Sequence, residues 1–515
     1  MELTWEFSGT DDTLLMLQPA LRSADLLGRM VAKTCLTGVE SHVSIENVND
    51  VRVPVLGLSR VPLARPVYCG TPRSRGEAML SSSDNELLTK VGPGTPMGSM
   101  MREYWMPAMV STELPAPDCD PVRVLLLGER FIAFRDSSGK VGMLAAQCPH
   151  RGASLFFGRN EEGGLRCVYH GWKFDVSGRC LDMPNEPPES NFKDKVRARS
   201  VPVVERGGLV WAYLGSQSEP PPLPALEFFD EELSETRFIN VFQINCNWLQ
   251  ALEGDIDTSH FGFLHVGHLS NDAAPEGTFL RHMLEDRAPR YKVVDTEFGS
   301  SYGAYRPAGN DQETYWRIAH YLFPFYTMIP TGLLGSSKTV TARVPLDDEH
   351  TMVYLATADE VPSDLAIGAE TYQNLKLLPN TTDWHGRFRS ARTIENDFEV
   401  DREAQRSGRS FTGLDSVPLE DRAMTESMGP VLDRSGEHLG SSDVMVIRVR
   451  RRILRALRHF TDSGELPPGA NEPDLYRQRS GGVVLPTGAD WLTATQGLRD
   501  GSEKPTTDPA LAAGV

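Results

Sequence analysis

The sequence has 515 residues, of which 40% are hydrophobic and 24% charged, as in an ordinary globular protein with room for two or three domains. Its net charge of −18 argues against a nucleic-acid partner, which usually requires a basic surface. The longest apolar runs are far shorter than the roughly 20 residues of a membrane span, and the start, MELTWEFSGTDD, does not read as a secretory signal. Seven scattered cysteines make a poor disulfide framework. We therefore expect a cytoplasmic protein without nucleic-acid or membrane partners.

The chain divides into four predicted parts. Residues 1–78 carry no recognisable chemistry and are predicted to be an N-terminal extension of unknown role. Residues 79–220 begin with a helical segment and continue as short apolar runs between turn residues, which is typical of a small all-β domain. A proline-rich connector follows, and residues 221–465 then mix strand-like and helical segments, an α+β pattern. Residues 466–515 are rich in Pro, Gly, Ser and Thr and are predicted to be a flexible tail.

Two cysteines and two histidines in the predicted all-β domain form the pattern C-x-H-x16-C-x2-H: Cys148, His150, Cys167 and His170. Such a set could hold a tetrahedral zinc ion or a Rieske [2Fe–2S] cluster, in which the cysteines bind one iron and the histidines the other. Zinc sites more often pair like residues, whereas each loop here offers one Cys and one His. The mixed pairs favour the Rieske cluster, and the glycines that follow the histidines allow tight turns.

A second group of possible ligands follows about ninety residues later, in NWLQALEGDIDTSHFGFLH. Asp257 and His260 are three residues apart and share a helix face, and Gly262 allows a turn that aims His265 at the same point. Two histidines and a carboxylate form a facial triad that leaves positions on Fe(II) open for dioxygen and substrate. His and Asp on a helix are usually surface or core residues, but the preceding Rieske motif gives this pair weight, and His268 is interpreted as a loop residue.

The third ligand of such a triad must come from elsewhere in the chain. The acidic segment TIENDFEVDREAQ, which begins at Thr393, is the best candidate. It contains several carboxylates, so the residues alone leave the choice among them open.

Together the two motifs resemble those of the α-subunits of Rieske non-haem iron ring-hydroxylating oxygenases. The strings NWLQALEGDIDTSH, ENDFEVDREAQR and ESMGPVLDRSGEHLGSSD are similar to the phthalate 4,5-dioxygenase branch. The resemblance covers roughly residues 79–460. It implies an α+β chain in which an all-β Rieske domain precedes a catalytic domain with an antiparallel sheet flanked by helices, a helix-grip or START-like fold.

The same resemblance implies the cofactors and their ligands. Cys148, His150, Cys167 and His170 would hold one [2Fe–2S] cluster per subunit. One Fe(2+) per subunit would be held by the two histidines, His260 and His265, and by Asp397, with Asp401 as the reserve. Asp257 would be the catalytic carboxylate that bridges the two centres.

The implied activity is that of an oxygenase component, which uses O2 and electrons from an NAD(P)H-dependent reductase with flavin and iron–sulfur centres. It would hydroxylate, dihydroxylate or O-dealkylate an aromatic, carboxylated substrate. The implied assembly is a homotrimer or homohexamer, in which the cluster of one subunit lies beside the iron of its neighbour. A carboxylated substrate needs a cation in an apolar pocket, and Arg287, Arg290 and Arg317 are candidates.

The main alternative is a Rieske-type electron-transfer protein without oxygenase activity. Respiratory Rieske proteins resemble C-T-H-x-G-C with C-x-C-H and carry an extra disulfide pair, which this sequence lacks. A Rieske ferredoxin would end before the connector at Ser216, so the second domain favours catalysis. An inactive chain that serves regulation or assembly is disfavoured by the intact set of Asp257, His260 and His265.

Overall fold

The structure is a computed structural model, and the residues it describes are 80–230, 237–268, 279–336, 338–358 and 375–505. The predicted N-terminal extension, residues 1–78, lies outside these ranges. Within them, no helix combines the length and the apolar character that crossing a membrane requires.

The first domain is built from short antiparallel strands, as its sequence pattern predicts. Two helices precede it, α1 (Ser82–Thr89) and α2 (Pro96–Arg102), capped by the side chains of Ser81 and Thr95. The strands are β1 (Trp105–Val110), β2 (Val122–Leu126), β3 (Glu129–Arg135), β4 (Val141–Ala145), β5 (Arg159–Glu161), β6 (Gly164–Arg166), β7 (Lys173–Phe174), β8 (Cys180–Asp182), β9 (Val203–Arg206) and β10 (Leu209–Tyr213). They form three sheets, ordered β1-β10-β9, β2-β3-β4 and β5-β6-β7-β8. The two loops with the Cys and His motif connect β4 to β5 and β6 to β7.

The second domain is formed by one eight-stranded antiparallel sheet with helices packed on it. Its strands are β11 (Arg237–Ile244), β12 (Arg290–Asp295), β13 (Gly299–Pro307), β14 (Glu313–Leu322), β15 (Tyr326–Met328), β16 (Val340–Pro345), β17 (Thr351–Ala358) and β18 (Gly481–Pro486). The sheet order is β11-β17-β16-β15-β14-β13-β12, and β18 pairs with β14. The helices are α3 (Trp248–Ile256), α4 (Phe279–Glu285), α5 (Arg402–Ser407), α6 (Val417–Ser427), α7 (Val444–Ser463), α8 (Trp491–Ala494) and α9 (Gln496–Asp500).

Helices α3 and α7 cover this sheet. α3 packs on β15 and β16, and α7 packs on β12 and β13. In α7 the buried apolar residues recur every three or four positions, at Val446, Val449, Ile453 and Leu457, so one face is held against the sheet. Arg451, Arg455 and Arg458 are exposed, whereas Arg450 is buried. An all-β domain followed by an antiparallel sheet flanked by helices confirms the predicted fold class.

Residues 466–505 are folded, so the prediction of a flexible tail is wrong over this range. β15 pairs with β14 only from His320 to Leu322, and the remaining edge of β14 is taken by β18. A free strand edge carries unpaired backbone groups that another strand can satisfy. Trp491 is buried and stacks on Trp316 with ring centroids 5.9 Å apart, which fixes the segment further. A few well-placed apolar residues therefore outweigh the polar composition.

The two domains meet at a buried ion pair and a hairpin turn. Arg387 of the second domain lies 2.6 Å from both carboxylate oxygens of Glu113 in the first. Gly128, in the turn between β2 and β3, donates a hydrogen bond from its N–H to Leu346 O at 2.7 Å. Leu346 belongs to the hairpin that joins β16 to β17. Removing either partner of a buried pair is costly, so the relative position of the domains is firmly held.

Candidate metal centres

The two motif loops of the first domain have the same backbone structure. In each loop the glycine four residues after the cysteine donates its N–H to the cysteine carbonyl, from Gly152 to Cys148 and from Gly171 to Cys167, both at 2.9 Å. Both glycines have positive φ angles, 73° and 81°, which other residues adopt with difficulty. The repeated pattern produces two matched turns that present one Cys and one His each.

The four side chains gather as a pair of sulfurs and a pair of imidazoles. Cys148 and Cys167 are 3% exposed, while the rings of His150 and His170 lie at the half-buried rim with centroids 4.4 Å apart. Trp172 stacks on His150 at 4.2 Å and fixes its plane. Burial raises the pKa of Cys148 to about 11, and the neighbouring Cys167 adds to the rise. Buried thiolates need a nearby cation. The donor set therefore fits a [2Fe–2S] cluster whose cysteine-bound iron is buried and whose histidine-bound iron lies nearer the surface.

The second centre is formed where α3 ends. Helix α3 stops at Ile256, and a short 3-10 turn, His260–Gly262, redirects the chain. His260, His265 and Asp421 each offer one ligand atom, and these atoms lie within 4.8 Å of one another. Asp421 Oδ1 is 3.0 Å from His265 Nε2 and 3.5 Å from His260 Nε2. Two imidazole nitrogens and one carboxylate oxygen that converge in this way fit a facial Fe(II) site.

The carboxylate that the structure brings to the two histidines is Asp421, in the middle of α6, and not the predicted Asp397. Asp397 is exposed on a 3-10 turn with a φ of 50°, and the structure does not bring it to the histidines. The reserve, Asp401, accepts a hydrogen bond from Ala404 N at 2.8 Å and caps α5. The acids of this segment thus serve local turns and caps, whereas the packing of α6 against α3 delivers Asp421.

Glu420, which the sequence reasoning also missed, orients one of the histidines. Its Oε2 lies 2.7 Å from His265 Nδ1, and both side chains are 1% exposed. A hydrogen bond from Nδ1 to Glu420 fixes the ring of His265 so that its Nε2 faces Asp421, and carboxylates commonly orient metal-binding histidines in this way. Burial lowers the pKa of His265, but hydrogen bonds to Asp421 and Glu420 raise it to about 9. The sequence pattern that could have indicated both residues is the adjacent pair Glu420 and Asp421. Neighbouring residues on a helix face different directions, so one carboxylate can face the iron position while the other faces His265.

Asp257 lies on the other side of His260. Its Oδ1 accepts hydrogen bonds from Ser259 N and Oγ at 2.8 and 2.6 Å, and its Oδ2 is 3.6 Å from His260 Nδ1. Burial would raise the pKa of Asp257, but contacts with His260 and Ser259 hold it below its usual value. An ionised carboxylate therefore faces one nitrogen of His260 while Asp421 faces the other. The side chain of His268 lies outside the described residues.

Two buried arginines occupy the sheet face near this centre. Arg306 on β13 is 3% exposed and Arg317 on β14 is 7% exposed. Arg317 pairs with Ala304 across the strands, so the two arginines are diagonal neighbours on one face. Arg317 lies over the ring of Phe261 at 4.8 Å, and Phe261 packs edge-on to His265 at 5.5 Å. Phe261 therefore contacts both the guanidinium of Arg317 and the imidazole of His265.

Neither of these guanidiniums forms an ion pair within the part of the chain that the structure describes. Arg317 donates to Met283 Sδ and to Pro330 O, and its Nε has no hydrogen-bond partner among the described residues. Arg306 Nε and Nη1 also have no hydrogen-bond partner in the described ranges. Burial together with the charge of Arg317 lowers the pKa of Arg306. Of the predicted cations, Arg287 and Arg290 are exposed. An uncompensated buried charge is costly, so this pair is ready for an anion.

Comparison with known proteins gives the family. The family model described as "Rieske [2Fe-2S] domain" matches residues 104–203, and the family model described as "LigXa C-terminal domain like" matches residues 212–508. The chain is 47% identical over 426 residues to the 3-chlorobenzoate-3,4-dioxygenase oxygenase subunit of Comamonas testosteroni, covering 81% of this chain and 98% of that protein. It is 38% identical over 424 residues to the phthalate 4,5-dioxygenase oxygenase subunit of Pseudomonas putida, covering 80% and 94%. A third relative, the 5,5'-dehydrodivanillate O-demethylase oxygenase subunit of Sphingobium sp., is 32% identical over 420 residues, covering 79% and 87%.

The chain belongs to the Rieske non-haem iron oxygenases. Within them it is an α-subunit similar to those of the phthalate 4,5-dioxygenase branch. The predicted family, enzyme class and cofactors are confirmed: this is the oxygenase component of a multicomponent mono- or dioxygenase that uses a [2Fe–2S] cluster and Fe(2+). The alternative of an electron-transfer protein without oxygenase activity is disfavoured.

Proposed function

We propose that this oxygenase component binds an aromatic carboxylate between Arg306 and Arg317 and presents its ring to an iron held by His260, His265 and Asp421. The observation that carries the proposal is the pair of buried guanidiniums without an ion pair within the described residues. When bound, the iron supplies the site at which O2 is activated. What the chain supplies is the position of the ring, the exclusion of water and the charge that selects an anion.

The substrate class follows from charge and geometry. A carboxylate forms charge-assisted, often bidentate hydrogen bonds with a guanidinium, and an apolar ligand with the same outline would leave the two cations unpaired. Phe261 lies between Arg317 and His265 and offers a flat apolar surface to an aromatic ring. Two relatives are named for 3-chlorobenzoate and phthalate, which are aromatic carboxylates. The choice between hydroxylation, dihydroxylation and O-dealkylation depends on where the ring meets the iron.

The cluster ligands are proposed to be Cys148, His150, Cys167 and His170. The matched turns, the buried thiols and the imidazoles at the rim support this assignment. The set also agrees with the Rieske ligand pattern, in which each iron has one type of ligand.

We further propose a homotrimer or homohexamer in which His170 of one subunit contacts Asp257 of the next. Val168 and Tyr169, which precede His170, are both 56% exposed, and exposed apolar residues beside a cofactor often mark an interface. Asp257 would then join the two histidines, His170 and His260, through one carboxylate. The electron donor is proposed to be an NAD(P)H-dependent reductase with flavin and iron–sulfur centres. None of the five described cysteines forms a disulfide within the described residues, which supports a cytoplasmic location.

The test is substrate-dependent O2 uptake by the iron-loaded protein with a surrogate reductase. Benzoates and phthalates should stimulate uptake, and the matching amides or methyl esters should not. Arg317→Met should raise KM for the active acid much more than it lowers kcat, because it removes a contact made by the bound substrate. Arg290→Met, which changes an exposed arginine, is the matched control. Equal uptake with acid and amide, or an unchanged KM in Arg317→Met and Arg306→Met, would refute the carboxylate site.

A further inference from the structure

A second set of metal-ligand side chains lies outside both centres, in the second domain. Asp347 is in the turn between β16 and β17, His350 ends that turn, and His385 is in the later segment that follows residue 375. Asp347 Oδ1 is 2.9 Å from His350 Nδ1, and Asp347 Oδ2 is 2.8 Å from His385 Nε2. The two imidazole rings lie 4.2 Å apart. One ligand atom from each residue lies within 4.8 Å of the others.

The carboxylate of this cluster is held in place by its own turn. Asp347 Oδ1 accepts hydrogen bonds from Glu349 N at 2.9 Å and from His350 N at 2.8 Å. Its Oδ2 contacts His385, so that oxygen keeps a lone pair for another partner. The three side chains are 27% to 41% exposed, which leaves room for water molecules. A rigid carboxylate with two adjacent imidazoles is a preformed ligand set.

The cluster lies where the second domain contacts the first. Leu346, beside Asp347, accepts a hydrogen bond from Gly128 N at 2.7 Å. Trp384, beside His385, packs against the core of the first domain, and the guanidinium of Arg130 lies 5.1 Å from its ring centroid. An ion here would join two segments that each contact the first domain.

We propose that Asp347, His350 and His385 bind one divalent transition-metal ion of the zinc type, which stabilises the junction between the domains. Zinc takes imidazole nitrogen and carboxylate oxygen ligands at about 2.0–2.2 Å, so two ligand atoms on one ion are about 3.0–3.5 Å apart. The two imidazole nitrogens lie 2.9 and 2.8 Å from the two different oxygens of Asp347, and one ligand atom of each residue lies within 4.8 Å of the others, so these contacts must open to admit an ion. Imidazole and carboxylate without thiolate suit zinc, nickel or copper rather than an iron–sulfur group, and water completes the coordination.

The test uses the full-length, iron-loaded protein, which is first dialysed to remove other metals. It is then titrated with Zn²⁺ and, in a separate experiment, with Co²⁺, because bound Co²⁺ absorbs visible light. We expect one Zn²⁺ per chain in addition to the iron, a visible Co²⁺ band and a higher unfolding temperature with Zn²⁺. His385→Gln keeps a hydrogen bond to Asp347 but should lose the bound ion and the stabilisation. His459→Ala removes an exposed histidine paired with Glu465 at 2.8 Å and should bind Zn²⁺ as the parent protein does.

Two results would overturn the proposal. One is the absence of Zn²⁺ and Co²⁺ binding by the parent protein, which would mean that Asp347, His350 and His385 form a hydrogen-bonded group only. The other is equal binding by the parent and by His385→Gln, which would place the ion elsewhere. Iron content and the Rieske signal are recorded in every sample, because they separate a folding defect or loss of the iron centre from loss of this ion. The outcome does not depend on which substrate the oxygenase uses.

Discussion

The two metal centres use the same kinds of side chain but are assembled in different ways. The proposed cluster ligands all lie between Cys148 and His170, in two turns that close their own hydrogen bonds. The iron group instead combines the turn that follows α3 with the middle of α6, and the contact from His265 to Glu420 spans 155 positions in the sequence. One centre is a local structure, whereas the other depends on how two helices pack.

The contacts that hold the two helices together explain how the iron group keeps its geometry. Gln250 on α3 donates to Thr425 O at 3.2 Å and to Gly429 O at 2.9 Å, at the end of α6. Glu253, on the same helix, is buried between Arg434 and Arg450, at 2.9 and 2.6 Å. A buried charge network of this kind is strongly destabilised when one member is removed. We therefore expect the iron centre to be sensitive to substitutions far from its ligands.

The largest expected effect distinguishes the carboxylate ligand from the one that the sequence predicted. Asp421→Ala removes one of three ligands, so we expect the mononuclear iron and all substrate-dependent O2 uptake to be lost. Asp397→Ala changes an exposed residue and should leave both unchanged. Iron analysis and O2 uptake on the two purified variants decide the matter. Iron loss in Asp397→Ala with retention in Asp421→Ala would reverse the assignment.

A second prediction tests whether the cluster site is independent of the iron site. Cys167→Ser should abolish the Rieske EPR signal and turnover, because a serine does not replace a cluster thiolate. The mononuclear iron should remain near one per chain, since the packing of α3 on α6 does not involve the cluster loops. Cys180→Ser, a change at a buried cysteine outside the motif, is the control and should keep the signal. Loss of both metals in Cys167→Ser would show that the two sites fold together.

The same contrast explains what could be predicted from the sequence. The spacing of Cys148, His150, Cys167 and His170 indicated a cluster because all four ligands belong to two short turns. His260 and His265 were predicted because they are near each other and follow a Rieske motif, and the structure brings them together. Asp421 was not found, because the packing of two helices, rather than a sequence spacing, brings it to the histidines. The acid-rich segment around Asp397 offered a stronger local signal, but the structure does not bring Asp397 to the histidines.

Long-range pairing also explains the other errors. The segment from residue 466 looks flexible by composition, but β18 takes the edge of β14 that the short β15 leaves open. Arg317 was named among three arginines, and only the register of β13 and β14 reveals Arg306 as its neighbour. Which of many arginines becomes buried depends on strand pairing, and periodicity along one strand does not report it.

A third, smaller effect concerns the carboxylate behind His260. Asp257→Asn should keep the mononuclear iron and the cluster signal, since Asp257 is not in the group of three ligand residues. Turnover should fall by roughly 10- to 100-fold, because an amide orients His260 less well and carries no charge. The specific readout is the rate at which the reduced cluster is reoxidised when substrate and O2 are added. An unchanged reoxidation rate would remove Asp257 from the route between the centres.

The smallest effect is expected at Glu420, which contacts His265 but not the proposed iron position. Glu420→Gln should weaken Fe(II) binding by roughly 10- to 100-fold, as the loss of a hydrogen-bond partner of a metal-binding histidine does, and excess Fe(II) should restore most of the activity. In the metal-free protein, His265 has a folded pKa of about 9, above its ordinary value of 6.5. Its contribution to stability is therefore complete below 6.5 and is lost as the pH rises towards 9. Glu420→Gln should flatten that decline, measured as unfolding temperature against pH after chelation, whereas Glu395→Gln, at an exposed position, should not. An unchanged slope in Glu420→Gln would mean that Asp421 alone sets the charge of His265.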